Sequence, residues 1–477
     1  MARLKSMELG RWRRLGLIAS VAAGFAACTV GPDFRGAPPA APAAASATAF
    51  NRAPEDASAA QPSAAPWWTE LGDPELTALI DAALANSPDV HAAEARLHQS
   101  RAALKEQKSN ALPKSGASAS YVNAEIPKST LDVGDLNLYN LGFDATWEVD
   151  LFGGTRRAVQ AASAESIAVE ADLADARVQL AAEVAQAYVD LRDRAARQDL
   201  ARRTAELETR VLELTEQRRA QEVASELDVE RIRTQVENTR GTIIPLDEQV
   251  TESLDQLAVL TGREPGSLDA ELSAARPLPS LPATVAVGNP AAMLRRRPDI
   301  RAAESRLASQ TAQIGEREAD WFPKLTLFGD LGFSATSSGT LLRGNNFLAF
   351  GIPYLQWNAL DFGRTRARVN QAKAGRDEAE AKYRSTVLGA LRDADAALSR
   401  YGHQRKYVVN LRAVETSAAR ASSLTEMRYR AGTSSALDWL DAERTRFSAE
   451  QDRVAGEAEL IKDYVALQKS LGLGWQS

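Results

Sequence analysis

The stretch PDVHAAEARL at positions 88–97 recurs, with three substitutions, as PDIRAAESRL at positions 298–307. The offset of 210 positions is kept along the chain without an insertion, and it also relates these pairs: Pro113 and Pro323, Trp147 and Trp357, Phe152 and Phe362, Gly262 and Gly472. Solenoid repeats have periods of about 20 to 50 residues, so this period belongs to a whole structural unit. The sequence therefore predicts one unit made twice, with pseudo-symmetry about an axis.

Composition favours long helices and excludes several classes of function. Aromatic residues make up only 6% of the 477 residues and alanine is abundant, which favours closely packed helices over an aromatic-filled core. The net charge of -6 gives no support to nucleic-acid binding. The sequence contains no phosphate-binding glycine loop and no nucleophile elbow. We therefore expect no enzyme activity, no catalytic residue, no cofactor and no metal site.

The N-terminus has the layout of a secretory signal. Residues 1–14 are basic, and residues 15–27 form an apolar run that is shorter than the about 20 residues of a membrane-spanning helix. The following Cys28 completes the stretch FAAC, which resembles a bacterial lipobox, and we expect this cysteine to carry lipid. Thr29 stands where an Asp would favour the inner membrane, so the outer membrane is expected. The alternative is an ordinary signal cleaved near Ala27.

A lipid on Cys28 would hold the chain at the membrane, because each buried CH₂ contributes about 0.8 kcal/mol. The segment 28–66 that follows the signal is rich in Pro, Ala and Ser. Such a composition is typical of an extended linker. We therefore expect residues 28–66 to be a lipidated N-terminus and a tether between the membrane and the folded body.

Long helices are predicted from an absence of helix breakers. Residues 155–240 contain neither Gly nor Pro, the residues that most strongly interrupt helices. Leucines recur every seven positions from Leu200 to Leu214, which is the period of a coiled-coil seam. We expect long helical hairpins at 155–260 and 363–472. A free-standing coiled-coil scaffold is the alternative reading of the same pattern.

Segments with strand character lie between the first helix and the long hairpin of each repeat. From Tyr139 to Glu148 apolar and polar residues alternate strictly, which predicts a strand with one apolar face. We expect polar loops at 126–138 and 335–345. The predicted strands lie at about 115–125, 138–149, 324–334 and 346–357.

Four strands are too few to close a sheet on itself, because about eight are the practical minimum for a barrel. An open edge in lipid would leave backbone groups without hydrogen bonds, at several kcal/mol each. If these strands lie in a membrane, several chains must therefore share one barrel. The alternative is a pair of ordinary β-hairpins on a soluble protein.

Several motifs together resemble those of the TolC-like outer-membrane efflux proteins, in the lipoprotein branch typified by OprM and NodT-type factors. The RRRPDI segment and the motif that begins at Met427 are the most specific. The matching stretches span nearly the whole chain after the signal: CTVGPDF (28–34), WWTELGDPELTALIDAALANSPDV (67–90), WEVDLFGGTRRA (147–158), LPATVAVGNPAAMLRRRPDI (281–300) and MRYRAGTSSALDWLDAER (427–444).

The resemblance implies a mainly α fold with a small β part. Each repeat, at 67–262 and 298–477, would supply a helix, two strands and a long periplasmic coiled-coil hairpin. The linker at 263–297 would lie on an equatorial belt. Three chains would form a homotrimer, with four strands from each chain in one shared transmembrane β-barrel of twelve strands and with their helices in a periplasmic α-barrel. The number three comes from the resemblance alone.

The resemblance also implies a function, that of a passive exit duct closed at its periplasmic end at rest. The duct would be lipid-anchored in the outer membrane, with a long periplasmic extension. Energy would come from an inner-membrane pump of the resistance-nodulation-division type, joined through a periplasmic adaptor protein. The adaptor would contact the turns between the long helices, near 218–227 and 428–437. The residues that match the family's tip pattern are Arg218, Ser225, Leu227, Arg428, Gly432, Ser435 and Leu437.

The two tips differ at the residue that ends the first helix of each hairpin. Gly432 suits a helix-ending position with positive φ, whereas Glu222 occupies the matching position of the first repeat. A glutamate adopts that conformation only at an energetic cost, so we expect the two tips to bind the adaptor unequally. We also expect Glu426 and Glu415 to face the narrowed pore, where rings of carboxylates would favour cations. The alternative places both on a solvated outer face.

The sequence features are compatible with three alternative functions. The first is the outer-membrane channel of an efflux pump for drugs or other small toxic solutes. The second keeps the fold but makes it the exit duct of a type I protein secretion system. The third is a soluble periplasmic coiled-coil scaffold. The lipobox and the RRRPDI segment favour the first.

Overall fold

The structure is a computed structural model that describes residues 29–54, 60–62, 66–125, 135–274 and 276–475. The signal predicted at 1–27 and the lipidated Cys28 lie outside the described residues. So does most of the loop predicted at 126–138.

The described part of the chain is mainly helical, as the sequence predicted. In each long hairpin a helix of 67 residues is followed by one of 35 residues. Among the described residues, no helix combines the length and the apolarity that crossing a membrane requires. The helices are α1 (Pro42–Ser46), α2 (Pro74–Asn86), α3 (Pro88–Asn110), α4 (Gly154–Ala220), α5 (Glu226–Leu260), α6 (Asp269–Leu272), α7 (Pro290–Arg296), α8 (Pro298–Ala319), α9 (Arg364–Arg430) and α10 (Ala436–Ser470), with short 3-10 helices at Trp67–Leu71, Ser338–Thr340 and Gly344–Asn346.

The four predicted strands form one antiparallel sheet in the order β1-β2-β3-β4. They are β1 (Lys114–Glu125), β2 (Asp135–Val149), β3 (Lys324–Ala335) and β4 (Phe347–Gln356). The hairpins β1–β2 and β3–β4 have the same register once the offset of 210 positions is applied. The sheet is therefore one hairpin built twice. Within the described residues, the outer edges of β1 and β4 carry no partner strand.

The loop predictions were wrong by a few residues at their ends. Strand β2 begins at Asp135 instead of 138, because its backbone stays paired with β1 as far as Glu125. In the second loop Ala335 still belongs to β3, where it faces Tyr139. Cross-strand pairing thus extends the strands into polar sequence that alternation alone does not mark.

Two compact units make up the chain, and each draws segments from both sequence repeats. The sheet lies in the first unit and the turns of the helical hairpins lie in the second. The repeats are therefore not the compact units, since counterparts from the two copies pack together. The units are Met1–Pro39, Arg96–Glu170 and Ala302–Arg384 for the first, and Ala40–Ala95, Ala171–Arg301 and Ser385–Ser477 for the second.

In the first unit, the residues directly after Cys28 are docked onto the start of α4. The buried side chain of Arg157 donates to the carbonyl oxygens of Val30 and Gly31, both at 2.9 Å. It also pairs with Asp33 at 2.9 Å. A buried guanidinium is stable only with such partners, so Arg157 fixes this stretch. The predicted tether begins with an anchored segment.

In the second unit, further parts of the predicted tether are also folded. Helix α1 packs on α7, and the side chain of Phe50 is buried. The backbone N–H of Gly288 donates to the carbonyl oxygen of Ala60 at 3.0 Å. Helix α1 and Ala60 of this stretch therefore lie against the linker between the repeats, and composition alone does not reveal this packing.

Candidate functional site at the helical hairpin tips

The turn between α4 and α5 forms the first tip. The N–H of Val223 donates to the carbonyl oxygen of Arg218 at 2.9 Å, and the N–H of Glu222 donates to that of Arg219 at 2.8 Å. This pair of bonds is the pattern with which many helices end, and it needs a left-handed residue. Glu222 is that residue, with φ 62°.

The turn between α9 and α10 forms the second tip and repeats this geometry. The N–H of Thr433 donates to the carbonyl oxygen of Arg428 at 2.9 Å, and the N–H of Gly432 donates to that of Tyr429 at 3.0 Å. Gly432 has φ 72°, as its position predicted. The two turns therefore have the same shape, although Glu222 replaces the glycine of the family pattern. The backbone strain of the first turn lies on Glu222 alone.

Each tip is closed by a capping box at the start of its second helix. The hydroxyl oxygen of Ser225 accepts from the N–H of Asp228 at 3.1 Å, and that of Ser435 accepts from Asp438 at 3.1 Å. Each aspartate in turn accepts from its serine backbone N–H. Hydrogen bonds from Ser225 lower the pKa of Asp228, and those from Ser435 and Ser434 lower the pKa of Asp438. The predicted tip serines thus shape the turns.

An apolar cluster joins the two hairpins just above the tips. The rings of Tyr429 and Trp439 stack with centroids 5.4 Å apart. The guanidinium carbon of Arg218 lies 5.0 Å from the centroid of Tyr429, a favourable cation–π distance. Arg218 therefore contacts the second hairpin of its own chain. The buried members of the cluster are Val211, Ile232, Val236, Tyr429, Trp439 and Leu440.

The two predicted tip leucines differ in their surroundings. Leu227 is 58% exposed, whereas Leu437 is half-buried against the cluster. Beside Leu227 on the first tip, Val223 is also exposed, a residue that the motif comparison missed. The first tip therefore exposes two apolar side chains, beside an exposed ion pair between Arg219 and Glu226.

At the second tip, the predicted Arg428 and Leu437 line one surface cleft of about 570 Å³. Three arginines and two aspartates give the cleft a mainly polar wall. Helix α5 of the first hairpin contributes Arg231 and Gln235 to this wall, so both hairpins build it. The cleft is lined by Arg231, Gln235, Thr425, Arg428, Ser434, Leu437, Asp438, Leu440, Asp441 and Arg444.

The two predicted pore carboxylates are paired within the chain. Glu426 accepts from Arg430 at 2.5 Å, one turn further along α9. Glu415 forms an ion pair with Arg453 on α10, with Oε2 of the glutamate 3.1 Å from Nε of the arginine. A cation at such a distance weakens the field that a carboxylate would present to a passing ion. The pairing reduces the electrostatic effect expected of either residue without removing it.

A second pair of carboxylates lies buried between the hairpins. Glu208 on α4 is fully buried and accepts from the side-chain amide of Gln235 at 3.0 Å, while its other oxygen has no partner within the described residues. Burial raises the pKa of Glu208 and the charge of Glu443 adds to this rise, whereas hydrogen bonds from Thr239 and Gln235 oppose it. Sequence reasoning missed Glu208, because burial of a single charged residue in a polar helix leaves no periodic signal.

Glu443, on the facing helix α10, has stronger partners. The hydroxyl of Ser422 donates to one of its oxygens, and Arg446 pairs with the other at 2.8 Å. The charge of Glu443 is thus held by two donors, while Glu208 has only amide and hydroxyl donors. Among the described residues, only Glu443 of this pair therefore has a cationic partner.

Comparison with known proteins identifies the family. Residues 79–263 and, separately, residues 289–473 match the model of the outer membrane efflux protein family. The two matches are 210 positions apart, which is the offset of the sequence repeat. The duplication predicted from the sequence is therefore confirmed.

Individual proteins agree with this assignment. The chain is 32% identical to the pyoverdine export outer membrane protein OpmQ of Pseudomonas aeruginosa over 422 residues, covering 86% of this chain and 88% of that one. It is 30% identical to the outer membrane protein OprJ of the same species over 460 residues, covering 95% of each. The solved structure of the outer-membrane channel OprN superposes with a TM-score of 0.83 at 36% identity, covering 94% of this chain and 100% of that one. The open state of the Neisseria gonorrhoeae MtrE outer membrane channel gives 0.83 at 26% identity, covering 94% and 98%.

The chain belongs to the outer membrane efflux protein family. It is an outer-membrane channel component of an efflux pump, with long helical hairpins on the periplasmic side. The family is one of transport channels. The alternatives of a soluble coiled-coil scaffold and of two β-hairpins on a soluble protein are therefore wrong.

The left-handed residues of the two tips give a matched stability test. Replacing Glu222 by Gly is expected to stabilise the protein by about 1 kcal/mol, because a left-handed side chain costs roughly 1–2 kcal/mol and the added freedom of Gly in the unfolded chain offsets part of this. Gly432→Ala is expected to destabilise it by a similar amount, since a Cβ there meets nothing within 4 Å and only the backbone is strained. Denaturant unfolding in detergent measures both. A destabilising Glu222→Gly would contradict this account.

The buried Glu208 gives a test through pH. The folded state binds a proton at Glu208 more tightly than the unfolded chain, so its contribution to stability falls as pH rises above the ordinary value of 4.5 towards the raised pKa. Glu208→Gln is therefore expected to stabilise the protein at pH 7, and this gain shrinks as the pH approaches 4.5. Thermal unfolding at both pH values measures it. The exposed Glu213→Gln is the control, and an equal effect of Glu208→Gln at both pH values would refute the assignment.

Proposed function

We propose that the chain forms the exit duct of a tripartite pump, as a homotrimer that an adaptor protein opens at its periplasmic tips and an inner-membrane pump of the resistance-nodulation-division type drives. The observation that carries this proposal is the four-stranded sheet, whose two outer edges are unpaired within the described residues. Lipid offers no hydrogen bonds to such edges. Further copies of the chain are the simplest source of the missing strands.

Three copies would supply twelve strands, which exceeds the about eight that a closed barrel needs. The family resemblance gives the number three, and the unpaired edges give the need for more than one chain. In such an assembly the six helical hairpins would line one periplasmic passage. The tips described above would surround its entrance.

The exported cargo is proposed to be drugs or other small toxic solutes. Relatives of this chain are named for the export of pyoverdine, of toluene and of antibiotics. All of these are small molecules, which supports efflux over the alternative of a duct for type I protein secretion. The duct itself is proposed to be passive, with energy supplied by the inner-membrane partner.

Cys28 is proposed to carry the lipid that anchors the chain in the outer membrane. The docked residues that follow it support this assignment. The N–H of Val30 donates to the carbonyl oxygen of Phe152 at 3.1 Å, three residues after β2 ends at Val149. A lipid on Cys28 would therefore emerge beside the end of the sheet, at the level where the strands enter the membrane.

The adaptor is proposed to contact both tips, through different chemistry. The first tip presents exposed Leu227 and Val223, so its contact would be apolar. The second presents the charged cleft that contains Arg428, so its contact would be polar and salt-dependent. The unequal binding expected from Glu222 would then arise from these side chains, since the turns share one shape.

The tip assignment is tested by Leu227→Glu. A charge on this exposed apolar site is expected to weaken adaptor binding about tenfold, the effect of losing roughly 1.4 kcal/mol at an interface. The variant is introduced into a strain that lacks the chromosomal gene, and survival is scored across dyes, antibiotics and metals together with adaptor pull-down. Leu342→Glu, at another exposed leucine, in the β3–β4 loop, is the control.

Two results would count against the proposed function. Wild-type adaptor binding by Leu227→Glu would remove the first tip from the interface. A deletion strain that tolerates every small toxic compound but fails to secrete a protein would favour the type I secretion duct.

The pore assignment is tested by conductance of the purified channel in planar bilayers. Glu426→Gln is expected to lower cation selectivity, because it removes a carboxylate from each copy. Arg430→Gln is expected to raise it, since this change frees Glu426 from its partner. Unchanged reversal potentials for both variants would place Glu426 on the outer face.

A further inference from the structure

A surface cavity of about 620 Å³ lies beside the middle of α9, within the second unit. Its wall contains several cationic side chains and, among the described residues, no carboxylate. The tip cleft differs, because two aspartates stand among its arginines. We call this cavity the α9 pocket. It is lined by Arg52, Ala53, Pro54, Leu398, Ser399, Gly402, His403, Arg405, Lys406 and Val409.

The predicted tether forms one side of the α9 pocket. A Cβ added to Gly402 would lie 2.9 Å from Cγ of Pro54, so a glycine in α9 allows the tether to approach this closely. Arg52, two residues before Pro54, is thereby brought to the helix that supplies His403 and Lys406. Cations from the two ends of the chain therefore meet at one cavity.

The chain leaves donors of this pocket unused. Within the part of the chain that the structure describes, the side chains of Arg52 and Lys406 form no ion pair with a carboxylate. Nδ1 of His403 lies 2.7 Å from the carbonyl oxygen of Ser399. Because a carbonyl oxygen can only accept, Nδ1 donates and Nε2 remains for a ligand. The pocket thus gathers positive charge that its own wall does not neutralise.

The first repeat shows that the fold does not require this charge. The stretch 396–414 of α9 contains four Arg or Lys residues and no acidic residue, whereas its counterpart in α4, 210 positions earlier, contains three aspartates. His403 stands at the position of Asp193, and Lys406 at that of Ala196. In α4, Asp193 pairs with an arginine one turn further along the helix. The uncompensated basic stretch is therefore a property of the second repeat.

We propose that the α9 pocket binds carboxylate groups of the acidic glycopeptide wall that lies in the periplasm. The helical hairpins of this outer-membrane channel extend into that compartment. Lys406 lies 24 residues before the end of α9 at Arg430, which is about 36 Å at 1.5 Å per residue, so this site is separate from the tips. It goes beyond the proposed function, since neither conduction nor the adaptor contact requires it.

The chemistry of the pocket fits a polymer of sugars and acidic peptides. Arg and Lys both bind carboxylates, and Arg can do so through two parallel N–H donors. Beside the cations, Tyr407 is 54% exposed and Val409 is 66% exposed, and these side chains offer apolar surface to the faces of sugar rings. A polymer also presents its carboxylates many times, so that weak single contacts add up.

Co-sedimentation with purified wall sacculi tests the proposal. The full-length protein is kept in detergent at physiological salt, mixed with sacculi that have been freed of bound protein, and centrifuged. Wild-type protein is expected in the pellet. Arg52→Gln combined with Lys406→Gln is expected to bind roughly fivefold more weakly, which is the loss of two exposed ion pairs. Added salt is expected to weaken wild-type binding, because exposed charges are screened.

A matched double variant in the first repeat controls for net charge. Arg202→Gln combined with Arg203→Gln removes the same two positive charges from exposed positions of α4. The partners of these arginines are Asp247 and Asp199, at 3.5 and 2.9 Å, so no unpaired cation is lost. Binding close to that of the wild type is expected. A loss equal to that of the α9 pocket variant would reduce the effect to net charge and overturn the site.

The ligand group is tested with sacculi whose carboxylates have been converted to amides. Wild-type protein is expected to lose its binding to them, and undiminished binding would overturn the recognition of carboxylates. Wild-type protein that stays in the supernatant with untreated sacculi would overturn the proposal as a whole. Binding that appears only after Glu55→Gln is combined with Asp56→Asn would overturn it too, because the cations would then serve the acidic residues that follow Pro54 in the sequence.

Discussion

The unpaired hydrogen-bonding groups along the outer edges of β1 and β4 set the constraint on which the other features depend. In water such groups would be solvated, but in the hydrocarbon of a membrane each would cost several kcal/mol. The chain belongs to a family of outer-membrane channels, and the proposed assembly covers these edges with strands from other chains. The exposure of every residue of β4 in the single chain is consistent with this proposal.

The duplicated sequence builds both halves of the sheet in the same way. Two hairpins of identical register form one sheet. The helical parts follow the same rule, with helices of 67 and 35 residues in each repeat and with tips closed by matching capping boxes. Divergence appears in the side chains, where the exposed Leu227 contrasts with the half-buried Leu437. The two tips therefore share one backbone geometry and differ in the side chains that they expose.

Much of this architecture could be predicted from the sequence, because its signals are local or periodic. Alternation from Tyr139 to Glu148 located β2, the absence of Gly and Pro located α4, and the constant offset revealed the duplication. Gly432 indicated its left-handed turn directly. For Glu222 the same backbone could be inferred only from its place in the repeat, since a glutamate carries no such preference of its own.

The features that the sequence did not predict depend on contacts between residues that are distant in the sequence. The docking of Val30 and Gly31 onto Arg157 spans more than a hundred residues, and composition suggested a loose tether there. The burial of Glu208 near Glu443 follows from how α4 and α10 meet, which no periodicity reports. The grouping of segments from both repeats into each compact unit likewise needs three-dimensional packing.

The number of copies in the conducting channel is the most direct test of this account. Native mass spectrometry of the detergent-purified protein, combined with single-channel recording from the same preparation, measures it. We expect conductance only from an assembly of three chains, with none from any monomer fraction. A monomeric preparation that conducts ions would show that one chain seals itself against lipid, and the account of a shared sheet would fail.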